Sequence, residues 1–193
     1  DKKSKIDHVD LHRFQKKPNV KLILSTYSIN WGGVNHLKAI LTLCESALKF
    51  DVQYLHLLTG ACYPIKRISY FKEFFLENSG SEFLEYFKLP FTQWSGGGIN
   101  RVEFFHLYDF LNSKKNVNMN FLRHMENFQR KIKFKRNLKN LPPLYGGSTY
   151  WSLTYDCVKY VIDYTSNNEK FLKRFNLNKD GNKDFRIDKL TAI

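Results

Sequence analysis

At 193 residues, 42% of them hydrophobic and 16% aromatic, the chain suits one domain with a buried core and is not disordered throughout. Its 31 Lys and Arg against 18 Asp and Glu give a formal charge of +13, a field that favours an anionic partner: nucleic acid, an acidic membrane surface or a phosphorylated small molecule. Cys44, Cys62 and Cys157 are far apart with no CxxC pair, which argues against a disulfide framework or a zinc knuckle and for a reducing compartment; no apolar run is long enough to span a bilayer, and no secretory signal is seen.

The chain opens on DKKS without a Met, as expected of a sequence that lacks its native start. His8 to Gln15 is a short helical possibility ended by Pro18-Asn19, and Val20 to Leu24 reads as a strand. A polar and glycine segment, Ser25 to Gly33, holds Tyr27 and Trp31. Val34 to Phe50 is the clearest helix, because Val34, Leu37, Leu41, Cys44 and Leu48 recur at steps of three and four. Gln53 to Leu58 reads as a buried strand that delivers the turn Thr59-Gly60. Pro64 forbids a simple helical continuation, and such a turn is either an ordinary junction or a wall of a ligand site.

Ile68 to Leu76 is a second amphipathic helix and Glu82 to Tyr86 a further strand. This alternation predicts an α/β sandwich with a largely parallel sheet. Gly96-Gly97-Gly98 breaks the chain, and Arg101 to Phe110 is too aromatic to assign. Val117 to Arg136 reads as helix, Asn137 to Pro143 as a turn, Tyr150 to Leu153 as strand and Tyr155 to Tyr164 as helix. The polar tail, residues 176–193, is left without predicted structure.

Several constellations invite chemistry. His8 and His12 have metal-ligand spacing on a helix, but no HExxH and no third ligand accompany them, so a solvated face is expected. The run Arg130, Lys131, Lys133, Lys135 and Arg136 interleaves cations with Phe134 as a patch for nucleic acid or for anionic lipid, and no complete nucleic-acid motif goes with it. Gly32-Gly33 and Gly146-Gly147 form neither a GxGxxG nor a Walker loop, yet each lies beside aromatics that suit stacking on a nucleoside or sugar. Glu82 and Glu85 are read as sharing a strand face, with Glu85 nearer a cleft where it would accept hydrogen bonds from sugar hydroxyls.

Four stretches, in order, resemble the family of core 2/I-branching β-1,6-N-acetylglucosaminyltransferases and peptide xylosyltransferases. They are DKKS at Asp1 to Ser4, NWGGVNHLKAIL at Asn30 to Leu41, LHLLTGACYPIK followed by FLEY at Phe83 to Tyr86, and LYGGSTYWSLTYDCVKYVI at Leu144 to Ile162. The resemblance covers Asp1 to about Phe175 and implies a single GT-A-like, Rossmann-like domain over residues 1–175 with a mostly parallel central sheet. It also implies an inverting transfer of GlcNAc or xylose from a UDP-sugar to a hydroxyl of a glycan or other acceptor.

By that resemblance Asp1, Trp31, Gly32, Gly33, Thr59 and Gly60 would bind the donor, Glu85 and Arg101 the acceptor, and Gly147, Ser148 and Tyr150 would border the reacting sugar. No metal or other cofactor is implied, since branching enzymes work without a DxD motif and hold the diphosphate with basic side chains. The family's general base is a Glu in a Pro-Asp-Glu segment; no such segment follows Phe175, and Cys62 stands where the family has an acidic residue. The chain is thus expected to be the central part of such an enzyme. Expected locations are the cytoplasm or the cytoplasmic face of a bacterial membrane, or the Golgi in a eukaryote. A basic nucleic-acid-binding module and a catalytically inactive scaffold are the alternatives.

Overall fold

A computed structural model of the chain describes residues 1–5, 7–23, 27–139 and 141–168. Helix α1 (His8–Gln15) is capped by Asp7, whose Oδ1 accepts the Val9 N–H at 3.1 Å, and it buries no residue. Helix α2 (Val34–Ala47) buries Val34, Leu41 and Cys44, the stripe predicted from spacing. Strand β1 (Tyr54–His56), α3 (Ile68–Glu77) and β2 (Phe83–Lys88) follow. A 3-10 turn at Ser95–Gly98 and the single turn α4 (Asn100–Glu103) lead to α5 (Asn116–Lys131). Strand β3 (Tyr145–Thr154) runs directly into α6 (Tyr155–Asn167), whose first turn is capped by Thr154 accepting from the Cys157 N–H.

The described strands do not show the expected largely parallel pairing. The sheet's order is β1-β3-β2, and both described pairings are antiparallel. The strand, helix, strand pattern rightly implies that β1 and β2 run the same way, since each is antiparallel to β3. They are not neighbours, because β3 inserts between them from about ninety residues downstream, a pairing that local periodicity does not encode. Val20 to Leu24 forms no strand over its described residues 20–23. The tail, 176–193, lies outside the described residues. Among those described, no helix is long and apolar enough to cross a membrane.

Alternation of side chains across the strands builds a layer on each face of the sheet. Leu55 and Leu153 join Cys44 of α2 and Val158 of α6 in one buried cluster, with Leu84 and Trp151 beside them. On the other face Tyr54, His56 and Phe83 meet Phe71, Phe74 and Phe75 of α3, with ring centroids 4.6–5.3 Å apart. Each fully buried aliphatic side chain contributes roughly 1.5–3 kcal/mol. A second cluster, Val34 and Val102 with Ile99, Leu138, Leu141 and Leu144, ties α2 to α4 and to the approach to β3. Gln129 of α5 holds the backbone of Phe105 from both sides, accepting its N–H at 2.8 Å and donating to its carbonyl at 2.9 Å.

The α5 helix ends at Lys131, five residues before the predicted end at Arg136. Lys133 has φ 54°, its N–H donates to the Arg130 carbonyl, and the Phe134 N–H reaches back to the Gln129 carbonyl at 2.9 Å. This is a left-handed helix stop of the Schellman type, here with a lysine where glycine is usual.

Candidate functional site

The first gathering lies where the N-terminal segment meets α2. Asp1 Oδ1 accepts the Lys3 and Ile29 N–H groups at 3.0 and 3.1 Å, and Lys2 N–H donates to the Tyr27 carbonyl. Lys3 Nζ donates to Asn30 Oδ1 at 2.6 Å, and the buried Asn30 donates onward to the Asp109 carbonyl at 3.0 Å. These bonds bring Asp1 beside the segment that carries Trp31, Gly32 and Gly33.

The start of a helix with two glycines before it resembles an anion site, because its first N–H groups are unsatisfied by the helix itself. Here the protein fills that site. Asp109 accepts the Val34 N–H through Oδ2 and the Asn35 N–H through Oδ1, each at 3.0 Å, while the Gly33 N–H donates to the Asn30 carbonyl. A Cβ on Gly33 would stand 2.2 Å from Asp109 Oδ1, so the glycine is required by this carboxylate. Asp109 went unassigned in the sequence reading. Its one signal is a carboxylate set among aromatics in HLYDF, a place where a charge needs a partner.

The turn after β1 is built differently. The Cys62 N–H donates to the Thr59 carbonyl at 2.9 Å, and Cys62 Sγ accepts from the Thr59 N–H at 3.3 Å with the Thr59 hydroxyl also 3.3 Å away. The Thr59 hydroxyl first, and its N–H second, hold the Cys62 thiol below its ordinary pKa of 9.0. A Cβ at Gly60 would meet nothing within 4 Å, so packing does not demand that glycine.

The second gathering is on β2 and β3. Leu84 pairs with Trp151 but Tyr86 pairs with Gly147, so Glu85 alone faces the three residues Ser148, Thr149 and Tyr150. The Tyr150 N–H donates to Ser148 Oγ at 3.2 Å inside this bulge. Glu85 and Tyr150 are both exposed there. Arg101 reaches the same end of the strands through Trp94: its guanidinium lies 4.0 Å from the Trp94 ring, and a Cβ on Gly146 would stand 2.9 Å from that indole. Phe87 closes the group, edge-on to Trp94 at 4.7 Å. Sequence reasoning placed no role on Trp94, whose signal was a tryptophan directly before the Ser-Gly-Gly-Gly turn.

Glu82 does not share Glu85's face, since three residues along a strand reverse the side. It precedes β2 and accepts from the Thr154 N–H at 2.8 Å and the Thr154 hydroxyl at 2.5 Å, which assigns it to the start of α6. His8 and His12 are exposed on α1, and among the described residues no group of three or more His, Cys, Asp or Glu comes together. A groove of about 450 Å³ is lined by Phe50 to Tyr54, Ser79, Gly80 and Thr154 to Asp156. It lies at the opposite end of β1 from Thr59 and carries Asp51 and Asp156, the wrong sign for a diphosphate. In the basic run, Arg130 pairs with Glu126 at 3.0 Å and Lys135 with Glu103 at 2.6 Å, and the Arg136 guanidinium lies 5.3 Å from the centre of the Phe105 ring.

The chain matches the family model described as Core-2/I-Branching enzyme over residues 1–185. It belongs to the Core-2/I-branching enzyme family. No curated protein matches the chain. Membership implies glycosyltransferase activity, with a nucleotide-sugar donor and a glycan acceptor. Within this branching-enzyme chain the two gatherings have different characters: one is a polar network locked by Asp109, the other a strand bulge that exposes a carboxylate beside a glycine pair.

Proposed function

We propose that the protein is an inverting, GT-A-type glycosyltransferase that moves GlcNAc or xylose from a UDP-sugar to a hydroxyl of a glycan acceptor. One observation carries this reading: Glu85 sits directly across from Ser148 to Tyr150, beside Gly147, with Arg101 held at the same end through Trp94. An exposed carboxylate and a guanidinium flanking a glycine pair supply what a sugar's hydroxyls need, with backbone low enough for a ring to approach. Tyr150 adds an exposed aromatic face for it.

On the donor side, Trp31 and Asp1 take the nucleoside. The Trp31 ring is 41% exposed and suits stacking on uracil. Gly32 and Gly33 do not cradle the diphosphate with the α2 N-terminus, because Asp109 holds those N–H groups. Thr59 and Gly60 border the donor from the β1 side, where the open space at Gly60 leaves room for it. The reading takes the diphosphate charge onto basic side chains and uses no metal. Transfer with inversion sends the acceptor proton to a general base as the hydroxyl attacks the anomeric carbon and UDP departs. Glu85 is assigned to binding the acceptor's hydroxyls and not to that step.

Calorimetry with UDP, UDP-GlcNAc and UDP-xylose tests the proposal. Saturable binding is expected, weakened about tenfold by Trp31→Ala through loss of stacking worth ~1.4 kcal/mol and unchanged by Glu85→Gln. Absence of binding to UDP and both UDP-sugars would sink it.

A further inference from the structure

Helix α5 presents an outward face that is apolar and cationic together. Residues 110–139 contain nine Lys or Arg and one carboxylate, Glu126. That carboxylate is turned to Arg130 at 3.0 Å and to Asn100 at 3.3 Å, away from the outer face. Leu122 and Gln129 mark the buried side of the helix. Along the exposed face next to it run Val117, Phe121, His124, Phe128 and Ile132, at steps of four, three, four and four, all exposed. Val117 is 81% and Phe128 62% accessible, far more than side chains that support a core. From Val117 to Ile132 the stripe is roughly 22 Å long.

Exposed cations lie at its two ends: Lys114 and Lys115 before the first turn, Lys131 and Lys133 at the last. These differ from the patch that the sequence suggested, because Arg130, Lys135 and Arg136 are engaged with Glu126, Glu103 and Phe105. The left-handed stop at Lys133 ends the stripe at Ile132 and folds Phe134 back onto Phe105, 5.1 Å between centroids. Gln129 meanwhile fixes the inner side of α5 to the body.

We propose that this face of α5 docks on an anionic lipid surface. Val117, Phe121, Phe128 and Ile132 enter the boundary between headgroups and acyl chains, and Lys114, Lys115, Lys131 and Lys133 pair with lipid phosphates around them. Charge complementarity selects the occupant, since the face carries cations and no carboxylate. Shape and polarity select it further. Four large apolar side chains in line on a convex helix match a planar, apolar-centred layer, whereas a phosphodiester backbone offers them nothing to bury against. The inference stands independently of the transferase reading.

Sedimentation of the 193-residue chain with phosphatidylcholine vesicles, with or without 30% phosphatidylglycerol, tests it. Binding to the anionic vesicles is expected to exceed binding to the neutral ones about tenfold and to fall with added salt. Phe121→Asp with Phe128→Asp should abolish at least about nine-tenths of it, and Lys131→Ala or Lys133→Ala should each weaken it about fivefold. All these positions are exposed, so an unchanged melting temperature confirms folding in each variant. Three results would overturn the proposal: no binding to the anionic vesicles, with or without binding of a 20-nucleotide DNA or Phe121-dependent dimerisation; equal binding to neutral vesicles; or vesicle binding that survives both aspartates.

Discussion

Two glycine pairs look alike in the sequence and do opposite things in the fold. Gly32-Gly33 precedes α2, where Asp109 occupies the helix N-terminus and leaves 2.2 Å for a missing Cβ. Gly146-Gly147 lies inside β3, where Trp94 and Phe87 press on Gly146 and the chain next to Gly147 bulges open across from Glu85. The first pair is closed by the protein's own carboxylate; the second leaves a carboxylate facing solvent. A glycine pair therefore signals close approach, and what approaches is decided by a residue distant in the chain.

The largest break in this comparison should come from Gly33→Ala. Its Cβ drives into Asp109 Oδ1 and displaces the cap of α2, for an expected loss of about 3 kcal/mol in denaturant unfolding. Asp109→Ala alone should cost about 2 kcal/mol through two lost N–H bonds at a helix start. Because it also removes the clash, the double variant should be clearly less destabilised than the sum. Additive losses would show that Gly33 is not there for Asp109. At the other pair, Gly146→Ala should cost only about 1–2 kcal/mol, since the opposing atoms belong to Phe87 and Trp94 rings that can shift.

Acid sharpens the contrast more gently. His56 on β1 shares a 2.8 Å hydrogen bond with Ser152 of β3, and burial holds its pKa below the ordinary 6.5. The folded state prefers the neutral ring, so the unfolded state takes up the proton more readily and stability falls as pH drops below about 6.5. His56→Gln should flatten that part of a stability-against-pH curve. The smallest effect is chemical. Cys62, with its thiol held below 9.0, should alkylate with iodoacetamide well before Cys44, which burial, then Glu45, push up to about 11, and before Cys157, raised by burial, then Glu82. Mass spectrometry of a timed reaction reads the order, and Thr59→Val should slow the Cys62 adduct.

Much of the local structure was legible from spacing. The α2 stripe, the bounds of α1, the start of α3 and the strand-to-helix passage at Thr154-Tyr155 all follow from periodicity and caps. The helix end at Lys131 was not, because its stop uses a lysine in a left-handed conformation and carries no glycine to announce it. Glu85, Arg101, Gly147, Ser148 and Tyr150, named from resemblance, do come to one end of the β2–β3 pair. Trp94, which joins Arg101 to that end, was marked only by its place before the Ser-Gly-Gly-Gly turn, a signal that does not say which side chains it meets.

By itself the sequence determined the long helices apart from the end of α5, the strand, helix, strand order, the positive field and the family motifs, since these rest on neighbours within a few residues or on composition. Only the tertiary structure decided that β3 would run antiparallel between β1 and β2, that Asp109 would fill the α2 N-terminus, and that the cations of the 130–136 run would divide into engaged and exposed sets. Each of these is a contact between residues tens of positions apart or a choice among nearby charges. Such contacts are fixed by which groups find partners once the chain has folded, and not by the local pattern that precedes it.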